Sequence, residues 1–187
     1  KKKINFTNSN YPKSEFKLKF IILVNKLLSI FSSKNFYSQN IYLPKISKIF
    51  FMIKNKQFLL SYHTNCHGLI RNGNNINLKL RKKILNLKGN SKFTKFLNKQ
   101  LIYNFPKFFL ENFRENIEFL NKLSLPKNPK FIFTSLDHHF NDMFNLYTAI
   151  KRENGSSYYL FQHGGSYGLA DNFIAEKLDI KVSDKFF

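Results

Sequence analysis

Up to about residue 124 the apolar positions of the chain recur mostly at helical spacing; beyond it, short apolar runs bounded by turn residues take over. From about Glu15 to Ser33, the residues Leu18, Ile21, Ile22, Leu28 and Phe31 are spaced for one helix, which Ser32-Ser33 and Pro44 end. The stretch from Ile46 to Tyr62 is apolar and aromatic and fits either a strand or a helix, and Asn72-Gly73-Asn74-Asn75 has the composition of a turn. The helical period returns from Leu78 to Leu87 and from Phe93 to Leu123, with Phe105-Pro106 marking a helix start, since proline suits a first turn. Phe109, Phe113, Ile117 and Leu120 then fall along one predicted face, with Lys and Glu on the solvated side.

The proline-punctuated loop Leu125-Pro126-Lys127-Asn128-Pro129 leads into Phe131-Ile132-Phe133-Thr134-Ser135, a short buried strand by its composition. Met143, Leu146, Tyr147 and Ile150 occupy one face of a following helix, with Asp142 near its N-terminus, Lys151 and Arg152 in its last turn and Gly155 suited to a left-handed C-terminal position. Tyr158-Tyr159-Leu160-Phe161-Gln162 supplies a second strand, and Val182 to Phe187 starts a third. Two buried strands joined by one helix imply a parallel pair with a right-handed crossover. The predicted fold class is therefore α/β: a Rossmann-like parallel sheet in residues 125–187 and a helix-rich N-terminal portion in residues 1–124. Both strands end on one sheet edge, so Thr134 and Ser135 are expected near Gln162 and His163, where open α/β sheets bind ligands.

Composition adjusts this picture only slightly. The 187 residues, 43% hydrophobic and 17% aromatic, belong to a folding chain. The formal charge of +20 points to polyanions in general, but lysine is abundant beside asparagine, isoleucine and phenylalanine, all encoded by A/T-rich codons, so genomic base composition explains much of it. A non-enzymatic basic module binding nucleic acid or another anion is the rival reading; no nucleic-acid motif accompanies the charge. Cys66 is the single cysteine, which suits a reducing compartment. The apolar stretch from Phe20 to Phe31 is broken by Asn25 and Lys26 and is shorter than the ~20 residues of a membrane span. A first residue Lys1 and a last pair Phe186-Phe187 suggest an internal piece of a longer protein.

The chemistry concentrates in Gln162-His163-Gly164-Gly165-Ser166-Tyr167-Gly168. Three glycines in five residues allow positive φ angles and close approach of backbone N–H groups to a phosphate or carboxylate, and His163 can serve as a general base on a hydroxyl or as a cationic partner to a leaving phosphate. The plainer reading is a tight turn capped by His163. Asp137-His138-His139 resembles the Asp-His-His signature of metal-dependent phosphoesterases, but without a second Asp/His cluster it reads better as a polar turn capping the next helix, with either histidine free to face the cleft. His63, Cys66 and His67 have metal-compatible types, yet the paired Cys-x-x-Cys knuckle is missing and a turn at His67-Gly68 is the better reading. No metal and no cofactor is expected.

A strand ending in Phe-Thr-Ser, a helix with Asp142, a second strand running into Phe-Gln-His-Gly-Gly-Ser-Tyr-Gly and the later Ser-Asp-Lys-Phe-Phe together resemble a family of transferases of bacterial surface-carbohydrate biosynthesis, over roughly residues 129–187. The resemblance implies the two-domain GT-B glycosyltransferase architecture, with this chain holding part of one Rossmann-like domain. It places Gln162, His163, Gly164, Gly165, Ser166 and Tyr167 at a nucleotide-sugar cleft, with Thr134, Ser135 and Asp142 nearby. It implies an activated nucleotide-sugar donor, a carbohydrate or lipid-linked acceptor, and a cytoplasmic location with peripheral contact at the inner face of the membrane. Members of that family continue past the Ser-Asp strand into a domain that would hold most of the donor.

Overall fold

A computed structural model describes residues 12–60, 76–169 and 171–187, the side chains of residues 12–18 excepted. Four strands, β1 (Phe36–Gln39), β2 (Phe131–Thr134), β3 (Ser157–Leu160) and β4 (Lys185–Phe186), form one sheet in the order β1-β2-β3-β4. Every pairing is parallel, and β2 meets β3 with Phe131 opposite Ser157 and Thr134 opposite Leu160. Parallel neighbours require crossovers. Between β2 and β3 run α6 (Asp137–Phe140) and α7 (Asp142–Glu153), and between β3 and β4 runs α8 (Ile174–Val182). This is the Rossmann-like α/β arrangement that the strand–helix–strand pattern predicts.

Local sequence explains why α7 forms where it does. The Asn141 side chain accepts a hydrogen bond from Phe144 N at 3.1 Å, the helix terminates at Asn154, and Gly155 follows with φ +89°. Its inner face carries Met143, Phe144, Leu146 and Tyr147, all buried. The Phe144 and Tyr147 rings meet Tyr37 of β1, at centroid distances of 6.3 and 5.0 Å, and Phe144 also meets Tyr158 of β3. With Ile132 and Leu160, both fully buried, these side chains make the main core, each contributing about 1.5–3 kcal/mol as an upper estimate. The other sheet face is a run of rings: Phe36, Phe131, Phe133, Tyr159, Phe161 and Phe187, against which Phe51 of α2 (Lys45–Lys54) packs on Phe36 and Phe133.

Several expectations change in detail. The stretch from Ile46 resolves as the helix α2. Helix α1 (Pro12–Leu28) turns Asn25 inward, where its side chain bonds both backbone groups of Leu60, and ends before Ser32-Ser33, with Phe31 beyond it and exposed. In α5 (Phe113–Lys122) the buried face is Asn116 and Leu120 while Phe113 is exposed, because Asn116 Nδ2 donates to the Phe108 carbonyl at 2.8 Å and so turns the helix away from the predicted stripe. Pro106 opens a short 3₁₀ turn (Lys107–Phe109), with α5 starting later. Val182 ends α8, so the last strand is only Lys185–Phe186.

The chain divides into two compact units, Lys1–Leu69 with Leu120–Phe187, and Ile70–Phe119, the division falling within α5. The sheet lies in the first. In the second, α3 (Leu78–Ile84) is capped by Asn77 and α4 (Lys92–Asn104) by Ser91, whose side chains accept from Leu80 N and Thr94 N. There Arg81, fully buried, makes a two-pronged ion pair with Glu111 at 2.6 and 2.8 Å and donates to the Ile102 carbonyl. His63, Cys66, His67 and the Asn72–Asn75 turn lie outside the described residues.

Candidate active site

The C-terminal edge of the sheet is a braced platform. Thr134 Oγ1, at the end of β2, accepts from Leu136 N and Asp137 N and starts α6. Ser135 Oγ accepts from Tyr42 N at 2.9 Å, and Ser135 N donates to the Asn40 carbonyl, so the chain leaving β1 is tied to the chain leaving β2. Asp137, buried, accepts from Asn40 Nδ2 and Asn141 Nδ2 at 2.9 and 3.1 Å. The cap of α7 is therefore Asn141, not the Asp-His-His turn, whose aspartate is taken up in this brace.

Gln162 leaves β3 at the same edge and straps the glycine turn, its Nε2 donating to the Gly164 carbonyl at 2.7 Å. Of the three glycines only Gly168 has a positive φ, +71°. A Cβ on Gly164 would come no nearer than 3.9 Å to the Tyr167 ring, and one on Gly165 would meet nothing within 4 Å. Backbone conformation thus requires glycine at one position; at Gly164 and Gly165 the missing side chain leaves the backbone bare to whatever approaches.

Three elements, β4, α6 and α8, converge beside this turn. Tyr167, buried, stacks on Phe186 of β4 and donates its hydroxyl to Asp179 Oδ2 of α8 at 2.8 Å. Burial and this carboxylate push the Tyr167 phenol up, so it stays protonated at any ordinary pH. With its proton committed to Asp179, the Tyr167 oxygen is an acceptor toward His163 Nδ1, at 3.0 Å. On the other side His138 Nε2 meets Asp179 Oδ1 at 2.8 Å, and His139 Nε2 lies 3.6 Å from the same oxygen. The rings of His139 and His163 lie 5.1 Å apart.

Burial, then the neighbouring His139 imidazole, pushes His163 below the ordinary histidine value, opposed by the Asp179 charge and a hydrogen bond to the Ser135 backbone carbonyl. Burial likewise holds His138 down, against its bond to Asp179 and together with the nearby imidazoles. Burial and the neighbouring imidazole thus favour the neutral His163 ring, while the Asp179 charge and the Ser135 carbonyl work in the opposite direction.

The predicted juxtaposition of the two strand tips is present: Phe161 N donates to the Thr134 carbonyl, and the Ser135 carbonyl reaches His163. Thr134 and Ser135 themselves are fully buried and their hydroxyls face backbone groups of the platform. Gln162, Gly164, Gly165 and Ser166 are exposed on the turn. Asp142 stands half-buried in the first turn of α7, and the bonds joining His138, Asp179, Tyr167 and His163 run without it. Asp179 was not legible as a site residue, since it belongs to a helix whose apolar residues face outward; His138 and His139 carried a signal in their position just past a strand tip. A cavity of about 610 Å³ lined by Asn35, Ser124 and Lys127 among others precedes β1 and β2, and so lies at the opposite edge from this chemistry.

The domain is a parallel α/β sheet of the Rossmann-like class, with a histidine and a glycine turn at its C-terminal edge, the edge at which open α/β sheets bind ligands. Over residues 1–187 the chain matches the LIC12162 family transferase description, and it belongs to that family of transferases. No curated protein and no solved structure matches it.

Proposed function

We propose that this site moves a sugar or related group from an activated nucleotide donor to an acceptor hydroxyl, carbohydrate or lipid-linked, in surface polysaccharide synthesis, within a GT-B-type arrangement. The observation that carries the reading is the placement of His163, held between the Asp179-anchored Tyr167 hydroxyl and the Ser135 carbonyl beside an exposed, unobstructed glycine turn. The acceptor O–H proton passes to the bare nitrogen of the neutral His163 ring. The acceptor oxygen bonds the transferred carbon, whose bond to the donor phosphate oxygen breaks with the electron pair leaving on phosphate. Backbone N–H groups of the Gly164-Gly165-Ser166 turn steady that charge. A positioned base of this kind is worth ~10²–10⁴-fold in rate. His163→Ala is expected to lower kcat by that amount with donor KM within a few-fold; a kcat within a few-fold of wild type would sink the base role.

Peripheral contact with an anionic membrane surface fits the distribution of charge. Between Glu15 and Glu111 the sequence has eighteen lysine or arginine residues and no acidic one, whereas residues 111–187 have nine basic and ten acidic. Base composition acts on both stretches alike and does not explain the difference. On α2, Ile46, Ile49, Phe50 and Ile53 form an i, i+3, i+4, i+7 row, each more than half exposed, among Lys45, Lys48 and Lys54. An apolar row rimmed by lysines suits the interface of anionic lipid, whereas a nucleic acid would use the charge and leave the row wet. Among the described residues no helix is long and apolar enough to cross a membrane.

A further inference from the structure

Two imidazoles of α6 converge on one carboxylate oxygen of α8, and hydrogen bonding accounts for only half of that arrangement. His138 Nε2 lies 2.8 Å from Asp179 Oδ1, an ordinary hydrogen bond. His139 Nε2 lies 3.6 Å from the same oxygen, too far to bond it. One ligand atom from each of His138, His139 and Asp179 falls within 4.8 Å of the others. The His138 and Asp179 side chains are 10% and 3% exposed and His139 is 28% exposed, so the cluster is closed below and open at one corner.

We propose that His138, His139 and Asp179 bind a first-row divalent metal ion, with Zn²⁺ the best match to two imidazoles and one carboxylate. Bonds of about 2.0–2.1 Å at tetrahedral angles set ligand atoms about 3.3–3.4 Å apart. The two separations from Asp179 Oδ1, 2.8 and 3.6 Å, lie on either side of that value, and with all three ligand atoms within 4.8 Å of one another the side chains close on an ion by shifts of up to about 1.4 Å. Magnesium and calcium prefer oxygen ligands and are disfavoured by the donor set. The outer shell is also present: Tyr167 donates to Asp179 Oδ2, leaving Oδ1 for the ion and fixing the carboxylate plane. His139 is the most exposed of the three, which leaves room for a fourth ligand, as in sites that keep a place for water or a substrate oxygen. The site is independent of which group the enzyme transfers.

The test is titration of Zn²⁺ into the chelator-treated full chain by calorimetry, with Co²⁺ absorption in the visible as a second readout. The wild type is expected to take up Zn²⁺ at this site and to give the intense Co²⁺ bands of a four-coordinate site. His139→Ala, a half-open position that tolerates truncation, should weaken binding by more than ~100-fold, beyond the ~10–100-fold that loss of an outer-shell partner such as the Tyr167 hydroxyl costs. Cys66→Ser serves as the control for the other metal-compatible cluster in the sequence and should leave binding unchanged. Absence of Zn²⁺ binding in the wild type, equal binding by His139→Ala, or loss of binding in Cys66→Ser with retention in His139→Ala would each overturn the assignment.

Discussion

Replacing Tyr167 by Phe deletes one oxygen from the centre of the site and little else. The ring keeps its contacts with Phe173 and Phe186, at centroid distances of 5.2 and 5.5 Å. What goes is the 2.8 Å bond to Asp179, a carboxylate only 3% exposed, and the 3.0 Å contact with His163. A hydrogen bond to a buried charge is worth ~1.5–3 kcal/mol, and water cannot readily replace this one. For a chain of this size ~2–4 °C of Tm accompanies each kcal/mol, so a fall of ~3–12 °C is expected in a calorimetric scan. The rate should respond as well, because His163 loses the partner that fixes its ring. The double variant His163→Ala/Tyr167→Phe should be no slower than His163→Ala alone, since the hydroxyl acts through the imidazole. An unchanged Tm, or rate losses that multiply in the double variant, would refute the Asp179–Tyr167–His163 chain.

Three further outcomes follow from the geometry. Arg81 holds the Glu111 carboxyl down to about 2 from its usual 4.5 through their hydrogen bonds, so the pair stabilises the fold wherever that carboxyl is ionised. Because the folded value is the lower one, that stability is present above about pH 4.5 and is lost as pH falls toward 2. Urea midpoints should drop across that window, whereas Glu111→Gln should cost ~3–5 kcal/mol at neutral pH by stranding Arg81 and should flatten the acid limb. Gly165→Ala should leave Tm within ~0.5 kcal/mol equivalent of wild type yet weaken donor binding, while Gly168→Ala, at φ +71°, should cost ~1–2 kcal/mol; equal thermal penalties would contradict the assigned roles. Phe50→Asp should reduce cosedimentation with phosphatidylserine vesicles without affecting neutral ones, and unchanged binding would remove α2 from the membrane contact.

The parts of the fold legible in the sequence were those whose signal is local. Helix α7 shows its apolar face, its basic last turn and its Gly155 terminator within fourteen residues, and the two strands flanking it are short apolar runs. Strand β1 gave no such signal, because all four of its residues are buried and two are polar: Gln39 is satisfied by Tyr37 within the strand, and Ser38 by Gln57, a partner that only folding brings to it. Helix α8 reads inside out, with Asp179 buried while Ile174, Leu178 and Ile180 are exposed. The site divides in the same way. The heptad from Gln162 to Gly168 marks itself, but the carboxylate that orients it arrives from α8 and the two extra imidazoles from α6, through tertiary packing that no spacing rule encodes. The glycines were legible as a bare turn, though only Gly168 needs to be glycine for its backbone angle.

The central claim, a nucleotide-sugar transferase site built on His163, is tested most directly by thermal shift against a panel of activated sugars. A donor that binds only the native protein at about 100 times its Kd adds ~2.7 kcal/mol, or ~5–11 °C in Tm here. The account predicts such a rise for one class of donor and its loss in Gly165→Ala, with His163→Ala still binding but slow to transfer. No rise with any donor, together with tight and sequence-selective binding of a nucleic acid, would contradict it and leave the glycine turn a structural feature of a basic binding module.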